Sequence, residues 1–283
     1  MQGFQQFIRE RQYLHNLSPR TLEWYENSFR WLPCENPTQK QLNEVVIQMR
    51  ERGRSATGCN CVIRALNSYL HWTHFGSEVK CSGACKHPKV LQLKEPHLVL
   101  PTYTDAHVRK LVTWKPQTKH QRRLHLLVLF LLDTGCRISE ALTLRVKEID
   151  FDNLLVTLNG KGDKQRVVPF SFELRKAMFR YCKEFARNPE RLLFANASET
   201  ELTRDNVLRN VKALCRKLGF EPPRRTLHSF RHSFALNYLR RGGSVFHLQK
   251  VLGHSTLEMT RRYANLVTTD LQAIHERISL LSK

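Results

Sequence analysis

Helical periodicity stops in "GSEVKCSGACKHPKVLQLKEPHLVLP", residues 76 to 101, where glycine, proline and lysine replace apolar residues spaced three and four apart. A chain of 283 residues interrupted there buries its apolar faces in two cores rather than one. The expected division is a helical unit over 1–87, a linker over 88–101 and a larger unit over 102–283.

Before the break, "NLSPRTLEWYENSFRWL" sets Ser18 to cap a helix with Pro19 in its first position, where a missing amide proton costs nothing. Leu22, Tyr25, Phe29 and Leu32 then follow at steps of three and four and make one apolar face. Two more helices are expected, from Gln39 to about Arg52 and from Ser55 to about Phe75, the latter carrying "NCVIRALNSYLHW".

After the break, Thr104 opens a helix to about Trp114, and another runs from about Thr118 to Asp133. The latter contains "LLVLFLL", far shorter than the roughly 20 residues that span a bilayer, so it reads as a core helix and no membrane partner is expected. The period changes in "LLVTLNGKGDKQRVVPF": Leu155, Thr157 and Asn159 alternate with Val156 and Leu158, Gly160 and Gly162 supply a turn, and Val167 and Val168 begin a return strand. Helices near 171–187, 204–218, 227–241, 244–252 and 256–262 complete the pattern. The fold class is therefore mainly α with a small β-sheet, in two domains, a helical bundle followed by an α+β unit.

A formal charge of +21 and a pI of about 10.0 are too lopsided for a protein whose partners are small neutral molecules. Most of the excess lies after residue 100. A polyanion is the expected partner. The start "MQGFQQFIRERQYL" has neither the apolar segment nor the cleavage pattern of a secretion signal, so reduced thiols and a cytoplasmic setting are expected for the eight cysteines. Cys59, Cys61, Cys81, Cys85 and His87 cluster, but one residue within the first cysteine pair and three within the second fit no common zinc site. They read as small hydrophobes, and no metal is expected. "NGKGDK" lacks the spacing of a phosphate-binding loop, so no nucleotide cofactor is expected either.

Four polar clusters interrupt the apolar pattern. Arg137 lies in "TGCRISEAL", Lys161 in "NGKGDKQR", His228 and Arg231 in "LHSFRHSF", and His254 and Tyr263 in "LGHSTLEMTRRYANL". Taken singly, each fits a solvated charge, a soluble turn or a core tyrosine. Taken in this order, they resemble the tyrosine recombinases, the phage-integrase type of site-specific DNA recombinase. The marks are an arginine in "TGxRxSE", a lysine in a hairpin, a "HxxRH" box, a "LGH" box and a tyrosine nine residues later. The resemblance extends to the first unit, whose "SPRT" opening is similar to that family's core-binding domain.

What the resemblance implies is a metal-free DNA strand transferase acting on double-stranded DNA, with catalytic residues Arg137, Lys161, His228, Arg231, His254 and Tyr263. Attack on a phosphodiester builds charge on its non-bridging oxygens, which calls for fixed cationic donors. Arg137 and Arg231 suit that clamp, since guanidinium is always charged and binds two oxygens at once. Tyr263 would be the nucleophile, His228 its base, Lys161 the acid for the leaving 5′-oxygen, His254 a phosphate donor and Glu140 the group orienting the clamp. Two other readings share these residues, a type IB topoisomerase that relaxes supercoils and a catalytically silent sequence-specific DNA-binding protein. The tail "NLVTTDLQAIHERISLLSK" places Leu271, Ile274, Ile278 and Leu281 on one helical stripe. By resemblance that stripe docks on a neighbouring subunit of a tetramer, although packing on its own domain satisfies the same pattern.

Overall fold

The structure is a computed structural model that describes residues 2–76, 88–95, 101–160, 165–186, 188–254 and 256–264. The chain separates into two compact units, Met1–Leu98 and Val99–Lys283.

In the first unit four helices, α1 (Gln2–Tyr13), α2 (Pro19–Phe29), α3 (Gln39–Glu51) and α4 (Ala56–Phe75), enclose an aromatic core. The Phe7 ring stands edge-on to Tyr25 at 5.0 Å and to Trp72 at 5.5 Å. Ser18 occupies the cap position of α2, but its hydroxyl meets Thr21 Oγ1 at 2.9 Å instead of a backbone amide. Leu32 packs on the core from beyond the end of α2.

Residues 88–95, expected as linker, lie along α4. The reason is a pair of asparagines seven apart on one face of that helix. Asn67 exchanges two hydrogen bonds with the backbone of Val90, at 2.8 and 2.9 Å, and Asn60 does the same with Leu93, both at 2.8 Å. Side-chain amides stand in for a neighbouring strand, an arrangement that hydrophobic periodicity cannot announce.

In the second unit, α5 (Asp105–Thr113) and α6 (Lys119–Thr134) are capped by Thr104 and Thr118. A short α7 (Ile138–Leu142) and a 3-10 turn lead into an antiparallel sheet of β1 (Ile149–Asp150), β2 (Leu155–Asn159) and β3 (Gln165–Pro169). Then follow α8 (Phe172–Phe185), α9 (Arg204–Lys217), α10 (Thr226–Arg240), α11 (Val245–Leu252) and α12 (Glu258–Ala264). Val156, Leu158 and Val168 turn one sheet face into the core, while α6 and α10 run through it with most of their surface buried. Among the described residues, no helix is long and apolar enough to cross a membrane.

Candidate active site

The site begins where α6 stops. Gly135 ends that helix in a left-handed turn (φ +61°), and Phe234 of α10 lies so close that a Cβ there would meet its ring at 2.3 Å. The close approach lets Arg231 of α10 donate from Nη1 to the Gly135 carbonyl at 3.2 Å, while its Nη2 donates to Leu252, the last residue of α11, at 2.7 Å. Arg231 is only 2% exposed. Burial, then the charge of Arg137, lowers it to about 10, so it stays cationic at neutral pH.

Arg137 stands just before α7 in extended backbone, at the cap position, and not within a helix. Glu140 explains this, because its Oε2 accepts from the Arg137 amide at 2.7 Å while its Oε1 accepts from Arg137 Nη1 at 2.8 Å. Glu140 is 3% exposed and is gripped from the other side by Arg166 of β3, whose Nη1 and Nη2 donate to its two oxygens, both at 2.7 Å. Burial alone would raise the Glu140 pKa. The bonds from Arg166 and Arg137 outweigh it and hold the carboxyl below its ordinary range.

Arg166 also donates from Nε to Val251 of α11 at 2.9 Å. Gly253, left-handed at φ +65°, leaves it room, since a Cβ there would meet Arg166 Cδ at 2.8 Å. One buried carboxylate thus fixes two guanidiniums, a third lies within their field, and the frame keeps a positive excess.

Three imidazoles and the tyrosine complete the arrangement. Tyr263 of α12 is buried, with its hydroxyl 2.8 Å from His232 Nδ1 and its ring parallel to that of His254 at 6.3 Å. His254 Nδ1 lies 2.8 Å from Oγ1 of the buried Thr260. Desolvation, then Arg231, Arg137 and Arg166, lowers His254 to about 4, so it is neutral at pH 7. His228 is exposed at the surface, edge-on to His232 at 4.9 Å. Partial desolvation against the helix, then Arg231, Arg225 and Arg137, lowers its pKa too.

Of the six expected site residues, Arg137, Arg231, His254 and Tyr263 lie close enough to act on one another's charge or to stack, and His228 lies one ring away from the tyrosine's partner. Lys161 falls outside the described residues, as do Cys81, Cys85 and His87. Cys59 is buried and Cys61 half-buried; among the described residues no group of three or more histidine, cysteine or acidic side chains is placed to hold a metal.

Sequence reasoning missed Arg166, His232 and Thr260. His232 carried a signal, as the last residue of the "HxxRH" box, but was given no role of its own. Arg166 read as an ordinary strand cation, and Thr260 as one of many hydroxyls.

Residues 102–269 match the model of the phage integrase family. Tyrosine recombinase XerA of Pyrococcus furiosus is 29% identical over 249 residues, which cover 87% of this chain and 82% of that protein. Tyrosine recombinase XerA of Thermococcus kodakarensis is 31% identical over 238 residues, covering 83% and 80%. Among solved structures, the Tn1549 transposon integrase in complex with transposon right end DNA superposes with a TM-score of 0.78 over 98% of both chains, at 22% identity. The frame of arginines around Glu140, the imidazoles and Tyr263 all fall within the segment matched by the family model, and that segment exceeds half the chain: the protein belongs to the phage integrase family.

Proposed function

We propose that the chain is a site-specific DNA recombinase, cleaving and rejoining strands through a 3′-phosphotyrosyl intermediate, in the integration, excision or resolution of a mobile element or replicon. The observation that carries this reading is the placement of a tyrosine hydroxyl beside a fixed cationic frame. Tyr263 Oη attacks phosphorus, the bond to the 5′-oxygen breaks, that oxygen takes a proton from Lys161, and the phenol proton passes to His228. Arg137 and Arg231 hold the non-bridging oxygens, and their geometry is set before DNA arrives, so little reorganisation is needed during the reaction. With Thr260 donating to its Nδ1, neutral His254 carries its proton on Nε2 and offers it to the phosphate. A 5′-hydroxyl reverses the attack, so no external energy source is required.

The test is incubation with a circular replicon of the host, digestion, and mapping of covalent junctions. The expected product is a 3′-phosphate esterified to Tyr263 at one defined position. Adducts absent, or scattered without sequence preference alongside relaxation of supercoils, argue against the reading.

The first unit is assigned to the DNA core site, and both units to duplex DNA. Binding by each is expected to weaken by orders of magnitude between about 50 and 200 mM salt through counterion release, measured by fluorescence anisotropy. A flat response contradicts it.

Exchange between two duplexes requires four cut strands, hence a tetramer. The apolar stripe Leu271, Ile274, Ile278 and Leu281 lies outside the described residues and is proposed to link neighbouring subunits. Deleting residues 270–283 is expected to spare single-site binding and abolish cooperative occupancy and recombination, read by gel shift and junction formation. A truncated monomer that loses its cooperative thermal transition would place the stripe in its own core.

A further inference from the structure

His232 has no role in the reaction as derived above, yet its Nδ1 lies at hydrogen-bond distance from the hydroxyl of Tyr263. It is 6% exposed, and among the described residues its Nε2 is buried with no hydrogen-bond partner. A histidine with one ring nitrogen orphaned in the interior stabilises a fold poorly, because the unpaired group keeps its full desolvation cost. An apolar side chain of similar size would serve the core of α10 at least as well. Stability alone therefore does not account for the residue.

Its surroundings fix its charge. Desolvation, then His228, Arg225 and Arg231, lowers it to about 4, so the ring is neutral at pH 7. A neutral imidazole has one N–H. If that proton sat on Nδ1 it would donate to Tyr263 Oη, occupying an oxygen lone pair that attack on phosphorus requires. With the proton on Nε2, Nδ1 accepts the phenol O–H and leaves the lone pairs available.

We propose that His232 is a positioning residue for the nucleophile: protonated on Nε2, it accepts the Tyr263 hydroxyl at Nδ1 and aims the oxygen's lone pairs at the phosphate. The inference rests on Tyr263 being the nucleophile. His232 does not keep the proton: as the bond to phosphorus forms, the hydroxyl releases Nδ1 and its proton passes to His228, whose ring stands 4.9 Å from that of His232.

The test uses the full chain labelled with 15N-histidine, without DNA, and then the same protein on sheared total DNA of the host. The expected spectrum shows His232 as the neutral Nε2–H tautomer, with its Nδ1 resonance displaced in Tyr263→Phe, where the donor is lost. A proton on Nδ1, or an Nδ1 signal indifferent to Tyr263→Phe, overturns the proposal. In the second arm, covalent adducts are counted after detergent precipitation. His232→Leu is expected to melt within a few degrees of the parent, bind DNA equally, and form adducts about a hundredfold more slowly, as a misaimed reactant should. His232→Asn, which sets Oδ1 where Nδ1 was, is expected to recover most of that rate. Equal rates in His232→Leu and parent, or an Asn variant as slow as Leu, overturn it. Should His232→Leu fail to fold, the tautomer measurement on the parent still decides. The nucleophile itself is judged separately, by whether Tyr263→Phe still forms an adduct.

Discussion

Tyr263→Phe should bind target DNA within about twofold of the parent and form no covalent adduct at all. The ring is buried in one apolar cluster with Ala235 and Leu236 of α10 and Leu248 of α11, so phenylalanine keeps the apolar contacts that seat the helix. What it loses is one hydroxyl, whose hydrogen bond to His232 contributes only about 1 kcal/mol to the fold. A stability change of that size moves the melting temperature by a few degrees at most. The chemical loss is total, because no other atom of the side chain attacks phosphorus. Denaturing gels of protein mixed with DNA containing the mapped site read the result directly. A slowly migrating protein–DNA species in the variant would place the nucleophile elsewhere.

The second large effect is expected at Glu140. Glu140→Ala removes the acceptor for four donors, leaving Arg137 and Arg166 facing each other without a counter-charge. Breaking such a buried pair by deleting one partner costs roughly 3–5 kcal/mol. For a unit of this size that corresponds to a fall in melting temperature of about 10 °C. Cleavage should fall further than stability accounts for, by about a hundredfold or more measured well below the new midpoint, as the clamp guanidinium loses its aim. Glu140→Gln keeps the shape and part of the bonding, so its melting point should lie between the two. A Glu140→Ala protein that melts within about a degree of the parent would show that the arginines do not depend on this carboxylate.

The helices other than α1 and α7 were legible because their apolar residues recur at three and four and several first turns carry threonine caps, as at Thr104 and Thr118. The hairpin was legible for the complementary reason, a period of two on either side of glycines. β1 was not, since two residues show no period. Nor was the strapping of residues 88–95 along α4, which rests on amide side chains that read as ordinary polar positions on a helix.

At the site, residue types suggested the chemistry that is proposed, while the contacts that hold those residues stayed hidden. Arg137 and Tyr263 stood out by their company in the sequence. Arg166 did not, because its meaning lies in a contact with Glu140 across 26 positions of chain. Thr260 is similar: only the fold shows that its hydroxyl faces His254.

Gly253 carries no functional group, yet a Cβ there would stand only 2.8 Å from Cδ of Arg166. One strategy for retargeting such an enzyme is to protect the polar residues and randomise what surrounds them. Here that strategy would damage the cationic frame through empty space: any larger residue at 253 pushes Arg166 off Glu140, and the defect would surface as lost chemistry in a protein whose every reactive group is intact. Libraries built on this scaffold should hold that void fixed as strictly as a charge.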